Sequence, residues 1–230
     1  MDHTMFDSQV DALSDRYRCV AWDERGFGGT PATGEFSYWD SAADAVALLD
    51  HLGINQAVFA GMSQGGFLSL RAALGNPDRV RALVLIDTQP GIDDQETIEG
   101  YHGMIAHWTS DEPLGEVGQF VASLILGDEA LTAEWIPRWE AARSDGMVHA
   151  AGALLGRDDI TSRMGEISCP ALIVHGEADQ AITIDKAEEM QAMLSDCRGL
   201  IRIPGAAHAP NMTDPQIVNP ALEMFLASLG

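Results

Sequence analysis

Lysine is all but missing from this chain. Lys186 is alone among 13 basic residues, the other 12 being arginine, against 35 acidic ones. The resulting net charge of −22 at pH 7 excludes a role built on nucleic acid or an anionic membrane surface, because both demand a basic footprint. Cysteine is almost as scarce. Cys19, Cys169 and Cys197 are scattered, odd in number and form no C-x-x-C. That argues against a disulfide framework and fits thiols in a reducing cytoplasm. No apolar run approaches the roughly 20 residues needed to span a bilayer, and the acidic N-terminus has no apolar leader. The seven histidines include no H-x-x-x-H pair, so no metal site is expected. Repeats and low-complexity tracts are absent, and 46% hydrophobic residues over 230 positions suit a single core.

What is present is a serine in a particular setting. Gly61-Met62-Ser63-Gln64-Gly65 follows the strand-like Ala57-Val58-Phe59-Ala60 and precedes Phe67, Leu68, Leu70, Ala73 and Leu74 at helical spacing. G-x-S-x-G between a strand and a helix is the context of a nucleophile elbow. So sharp a turn leaves little room for a Cβ two residues either side of the serine, hence Gly61 and Gly65. It lifts the Ser63 hydroxyl above the sheet edge and aims the Gln64 N–H at a developing oxyanion. Serine needs a positioned base, itself oriented by an acid. Pro170–Val174 reads as a buried strand running into His175-Gly176-Glu177-Ala178-Asp179. Leu200–Pro204 reads as another, opening into Gly205-Ala206-Ala207-His208. Ser63, Asp179 and His208 therefore each lie just past a strand C-terminus, the edge where catalytic groups of open parallel sheets gather. Asp87, after the strand Arg81–Ile86, is the rival acid, with bracing of that strand end as its plainer role. His175 reads as structural, bonding near its strand terminus. His3, His51, His102, His107 and His149 read as surface or inserted-segment residues. Gly26-Phe27-Gly28-Gly29 lacks the third glycine of a dinucleotide loop and reads as a plain turn.

Strands and helices alternate as in a mostly parallel, doubly wound α/β sheet. Arg18–Trp22 is the first strand candidate. Ser37-Tyr38-Trp39-Asp40 offers a capping box, and Gly53 stops the helix it opens. A helix from about Thr183 to Leu194 separates the last two strands. Asn219 and Pro220 suggest N-cap and N1 of a closing helix. One connection is oversized: Thr88 to Cys169 is 82 residues, where a crossover needs about a dozen. Residues 93–166 are thus expected to form an inserted helical cap over the active site, on a core made of 1–92 and 167–230. Met62 beside the nucleophile, with Trp108, Trp135, Trp139, Met104 and Met147, are candidates for lining an acyl pocket. The aromatic ones are equally candidates for holding cap helices together.

At this point the sequence resembles the α/β-hydrolase superfamily over nearly its whole length, from Trp22-Asp23-Glu24-Arg25-Gly26-Phe27-Gly28 through the elbow, the acid turn and the Gly-x-x-His loop. It looks closest to ester and lactone hydrolases of the 3-oxoadipate enol-lactonase kind. The resemblance implies Ser63 as nucleophile, His208 as general base and then acid, and Asp179 as orienting carboxylate. It implies no cofactor and a small ester or lactone as substrate, leaving C–C bond hydrolysis and cofactor-free perhydrolysis open. Assembly into an oligomer is open as well. One departure stands out. The family's His-Gly-x-Pro loop supplies a second oxyanion N–H, yet the only His-Gly pairs here, His102-Gly103 and His175-Gly176, both follow the elbow. The family's first strands are therefore expected to be absent. Either a rearranged neighbour or a strand borrowed from another chain should then flank Ala57–Gly61, and the chain should be a weak esterase or a non-catalytic relative.

Overall fold

Four apolar runs build a parallel sheet whose two faces carry different cores. The computed structural model describes residues 1–143 and 146–230. β1 (Ala57–Met62), β2 (Val80–Ile86), β3 (Ala171–Gly176) and β4 (Cys197–Ile203) pair in that order, all parallel. Side chains alternate across a strand, so Leu83, Leu85 and Ile173 enter one core while Ala82, Val84, Ile86, Leu172 and Val174 enter the other. On the first face lie α2 (Tyr38–His51), α3 (Gln64–Gly75) and α8 (Ile184–Met193). On the second, α10 (Pro215–Ser228) buries Val218, Leu222 and Phe225, with α1 (Asp7–Leu13) packed against it. The expected capping box is present: Ser37 Oγ caps the N-terminus of α2 while the Asp40 carboxylate accepts from the Ser37 N–H at 2.8 Å.

Four helices fill the long connection: α4 (Gln95–Trp108), α5 (Gly115–Ile125), α6 (Glu129–Ala142) and α7 (Gly146–Leu155). Leu114, Val121, Ala122, Leu126, Trp135 and Trp139 from this segment share a core with Met62 at the end of β1 and with Ala206 and Ala209 beyond β4. α5, α6 and their flanking turns therefore pack on the edge of the sheet where its strands end, while Ala153 of α7 joins the other core. α9 (Pro210–Thr213) is a single turn leading into α10.

Two local expectations fail. Arg18–Trp22 is irregular and half-exposed to exposed rather than a strand. Among the described residues the outer edge of β1 has no strand beside it, so that segment has no ladder to join. Among the described residues no rearranged neighbour flanks Ala57–Gly61 either. The closing helix starts at Pro215, not Pro220, which sits inside it. Asn219 is committed elsewhere: its Oδ1 accepts from Gln9 Nε2 at 2.7 Å and its Nδ2 donates to Ser8 O at 3.1 Å. That stitch between α1 and α10 offsets the one helical bond Pro220 cannot make.

Candidate active site

Ser63 is one of two non-glycine residues with positive φ among the described residues, at φ 49 and ψ −111. The strain follows from how abruptly β1 becomes α3. A Cβ on Gly61 would stand 2.1 Å from the carbonyl carbon of Gly65, so that glycine is obligatory. Gly65 is not: nothing lies within 4 Å of where its Cβ would be. The second tight contact falls one residue on, where a Cβ on Gly66 would meet Thr88 at 2.4 Å. Thr88 Oγ1 donates to Ser63 O at 2.8 Å, tying the elbow to the end of β2. Tyr38 Oη donates to Gln64 Oε1 at 2.8 Å and so holds the side chain beside Ser63. Neither Thr88 nor Tyr38 was picked out from the sequence. The only signal for Tyr38 was its position just inside the capping box.

The candidate acid and base are joined. His208 Nδ1 donates to Asp179 Oδ2 at 2.7 Å, with both side chains buried. Asp179 Oδ1 accepts from the N–H groups of Ala181 and Ile182 at 2.8 and 3.1 Å. Burial pushes this carboxyl up, but the bonds and charge from His208 and the Ile182 N–H outweigh it and hold the group below its ordinary value. Loop geometry fixes the pair: a Cβ on Gly176 would stand 2.2 Å from Ala207 O, so glycine there lets the histidine loop pass over the end of β3. Among the described residues no hydrogen bond joins Ser63 Oγ to His208. Such bonds are often long without substrate and tighten in the complex. The Gln64 N–H, at the start of α3, has no acceptor among the described residues.

Asp87 holds the rival position and is the second residue with positive φ, at 43. It is fully buried and its Oδ1 accepts from the Gly176 N–H at 2.9 Å, bracing β2 against β3. His175 Nε2 donates to Ile182 O at 2.7 Å. Burial pushes that imidazole down, so it is neutral at neutral pH. Asp87, Asp179 and His208 each offer one ligand-type atom within 4.8 Å of the others. A zinc ion with ligands at about 2.0–2.1 Å would hold them at least about 3 Å apart, so the 2.7 Å contact marks a hydrogen bond.

The candidate pocket residues divide. Trp135 and Trp139 are 2% and 6% exposed and stack with Trp108 in a row, ring centroids 6.4 and 5.6 Å apart. Arg138 covers the Trp135 ring at 3.9 Å. These two tryptophans lie inside the helical segment. Met104 lines a shallow cleft of about 400 Å³ between α4 and α5 with Val117 and Phe120. A larger one of about 590 Å³ lies between Trp22, Arg25, Pro31 and Leu48. Neither cleft includes Ser63 or His208.

Comparison with known proteins identifies the family. The family profile for the alpha/beta hydrolase fold matches residues 2–215. The chain is 24% identical to 3-oxoadipate enol-lactonase 2 of Acinetobacter baylyi, covering 97% of this chain and 84% of that one. It is 30% identical to the putative carbamate hydrolase RutD of Agrobacterium fabrum, covering 95% and 86%. Among solved structures, a thermophilic esterase from Thermogutta terrifontis superposes with a TM-score of 0.90 at 26% identity, covering 100% of this chain and 86% of that one. An enol-lactonase from Burkholderia xenovorans shares the fold with a TM-score of 0.88 at 22% identity, covering 98% and 87%. An elbow serine and a buried His–Asp pair on one edge of a parallel sheet, in a chain matched almost end to end, place this protein in the α/β-hydrolase fold family.

Proposed function

We propose that this chain is a serine hydrolase of small carboxylic esters or lactones, with Ser63, His208 and Asp179 as its triad. The observation that carries the reading is the buried Asp179–His208 bond of 2.7 Å on the sheet edge where Ser63 is held at positive φ. Ser63 Oγ attacks the acyl carbon while His208 Nε2 takes its proton. Asp179 keeps the Nδ1–H tautomer and stabilises the imidazolium. The Gln64 N–H receives the oxyanion. His208 then protonates the leaving alcohol, or the opened end of a lactone, and water cleaves the acyl-enzyme by the same relay. The helices of 93–166 act as a cap that selects the acyl group, over a core of 1–92 and 167–230.

Each oxyanion donor is worth about 10²–10³ in turnover. Fluorophosphonate should label the wild type and not Ser63→Ala, and p-nitrophenyl acetate hydrolysis should be lost in the same variant. Hydrolysis undiminished in Ser63→Ala would refute the reading.

A further inference from the structure

The proposed triad leaves one buried acid without a role. Asp87 is 0% exposed, and of its two oxygens Oδ1 is satisfied by the Gly176 N–H while Oδ2 has no partner. A buried carboxylate oxygen without a donor is costly. Among the described residues no lysine or arginine nitrogen lies within 4.0 Å of it. The nearest ring nitrogen, His175 Nε2, is 3.7 Å from Oδ1 and already donates to Ile182 O. The neighbour that remains is Asp179, a carboxyl oxygen of which lies within 4.8 Å of one on Asp87. Asp179 already carries three N–H donors, so it is the member of the pair that keeps the charge. Two carboxyls sharing one site do not both ionise.

We propose that Asp87 is a neutral carboxylic acid whose Oδ2–H donates to the Asp179 carboxylate, making Asp87 a positioning residue for the acid that orients His208. The inference rests on the triad reading for its catalytic meaning, though not for the proton itself. One shared proton satisfies the orphaned oxygen and removes the repulsion between the two acids. It also gives the strained backbone at Asp87 a use, since φ 43 aims its side chain from the end of β2 toward the acid loop. The direction of its titration agrees: burial first, then the charge of Asp179, pushes Asp87 well above the ordinary carboxylate range. The other titratable groups facing the pair are His175 and His208. Tyr101 on α4 is held neutral, its hydroxyl pushed up to about 12 mainly by burial, with the charge of Asp179 a smaller cause. The donated bond also draws charge from Asp179, the carboxylate that stabilises the imidazolium formed on His208 during the proposed reaction.

The test compares wild type with Asp87→Asn, Asp87→Ala, Asp179→Asn and Ser63→Ala. Infrared difference spectra of wild type minus Asp87→Asn near neutral pH should contain the carbonyl stretch of a protonated carboxylic acid. Asp87→Ala, which removes the donor and strands the Gly176 N–H, should lower p-nitrophenyl acetate turnover by about tenfold and move the acidic limb of its pH profile upward. Asp87→Asn keeps an N–H donor and an acceptor oxygen in place, and should recover most of that loss and restore the limb. Absence of the carbonyl band, or a loss in Asp87→Asn as deep as in Asp179→Asn, overturns the proposal. If the band is present while Ser63→Ala still turns over ester normally, the shared proton stands and the hydrolase reading falls.

Discussion

Asp179 is charged, bonded three times and joined to His208, so removing its charge should hurt less than removing the atoms that react. Ser63→Ala and His208→Ala are each expected to abolish nearly all ester turnover. Asp179→Asn should cost on the order of 10⁴ through the wrong tautomer, with melting temperature as the control for folding. A different carboxyl contributes to pH-dependent stability. Glu24 has a buried Oε1 with no partner, and burial pushes its pKa from 4.5 up to about 7. Its folded value lies above its unfolded one, so the stability it contributes is complete below pH 4.5 and is lost as pH rises through about 7. Glu24→Gln should therefore raise the melting temperature near pH 8, with a ceiling of about 3 kcal/mol, and leave it unchanged near pH 4. Equal effects at both values would sink this account. Ser63, Asp179 and His208 were legible in the sequence because each directly follows an apolar strand run. The protonation of Asp87 was not, because it depends on Gly176, His175 and Asp179 arriving from β3 and its loop.

Among the elements, the strand-to-helix turn at Ser63 is the least forgiving. Gly61→Ala drives a methyl into the Gly65 backbone and should leave little soluble protein. Gly65→Ala meets open space and should melt within a few degrees of wild type, even though the two glycines look equivalent in the motif. Comparable melting of both variants would show that the elbow relaxes more freely than its geometry allows. The tryptophans of α6 pose a parallel question about pocket lining against packing. Trp135 is 2% exposed, so Trp135→Ala should cost about 3–5 kcal/mol in a denaturant titration and leave KM for a short acyl ester nearly unchanged. A raised KM with unaltered stability would return Trp135 to the acyl pocket.

At the scale of the whole molecule, the open side of β1 dominates. Ala57–Met62 leads into the Ser63 turn yet has a paired strand on one side only among the described residues, and Ala60 in its middle is exposed. Unpaired edge groups are a template for another strand, and buried ones are costly. Fusing a strand segment ending in His-Gly-x-Pro ahead of Met1 is expected to raise both the melting temperature and ester turnover, since it supplies a ladder and a second oxyanion N–H together. Should the unfused chain turn over activated esters as fast as the fused one, a second donor exists elsewhere around Ser63.

Four strands, their helices, the Ser37 cap and the order Ser, Asp, His were determined by the sequence alone, because side-chain period, caps and turn glycines act over a few residues. Tertiary structure decided whatever needed a distant partner. Arg18–Trp22 is not a strand for want of a neighbouring ladder. Pro220 is tolerated inside α10 beside the bonds from Asn219 to Gln9 and Ser8. Trp135 and Trp139 are buried by packing that spacing leaves undefined. The obligatory glycine after Ser63 is Gly66 rather than Gly65, because only the fold brings Thr88, just beyond β2, against it.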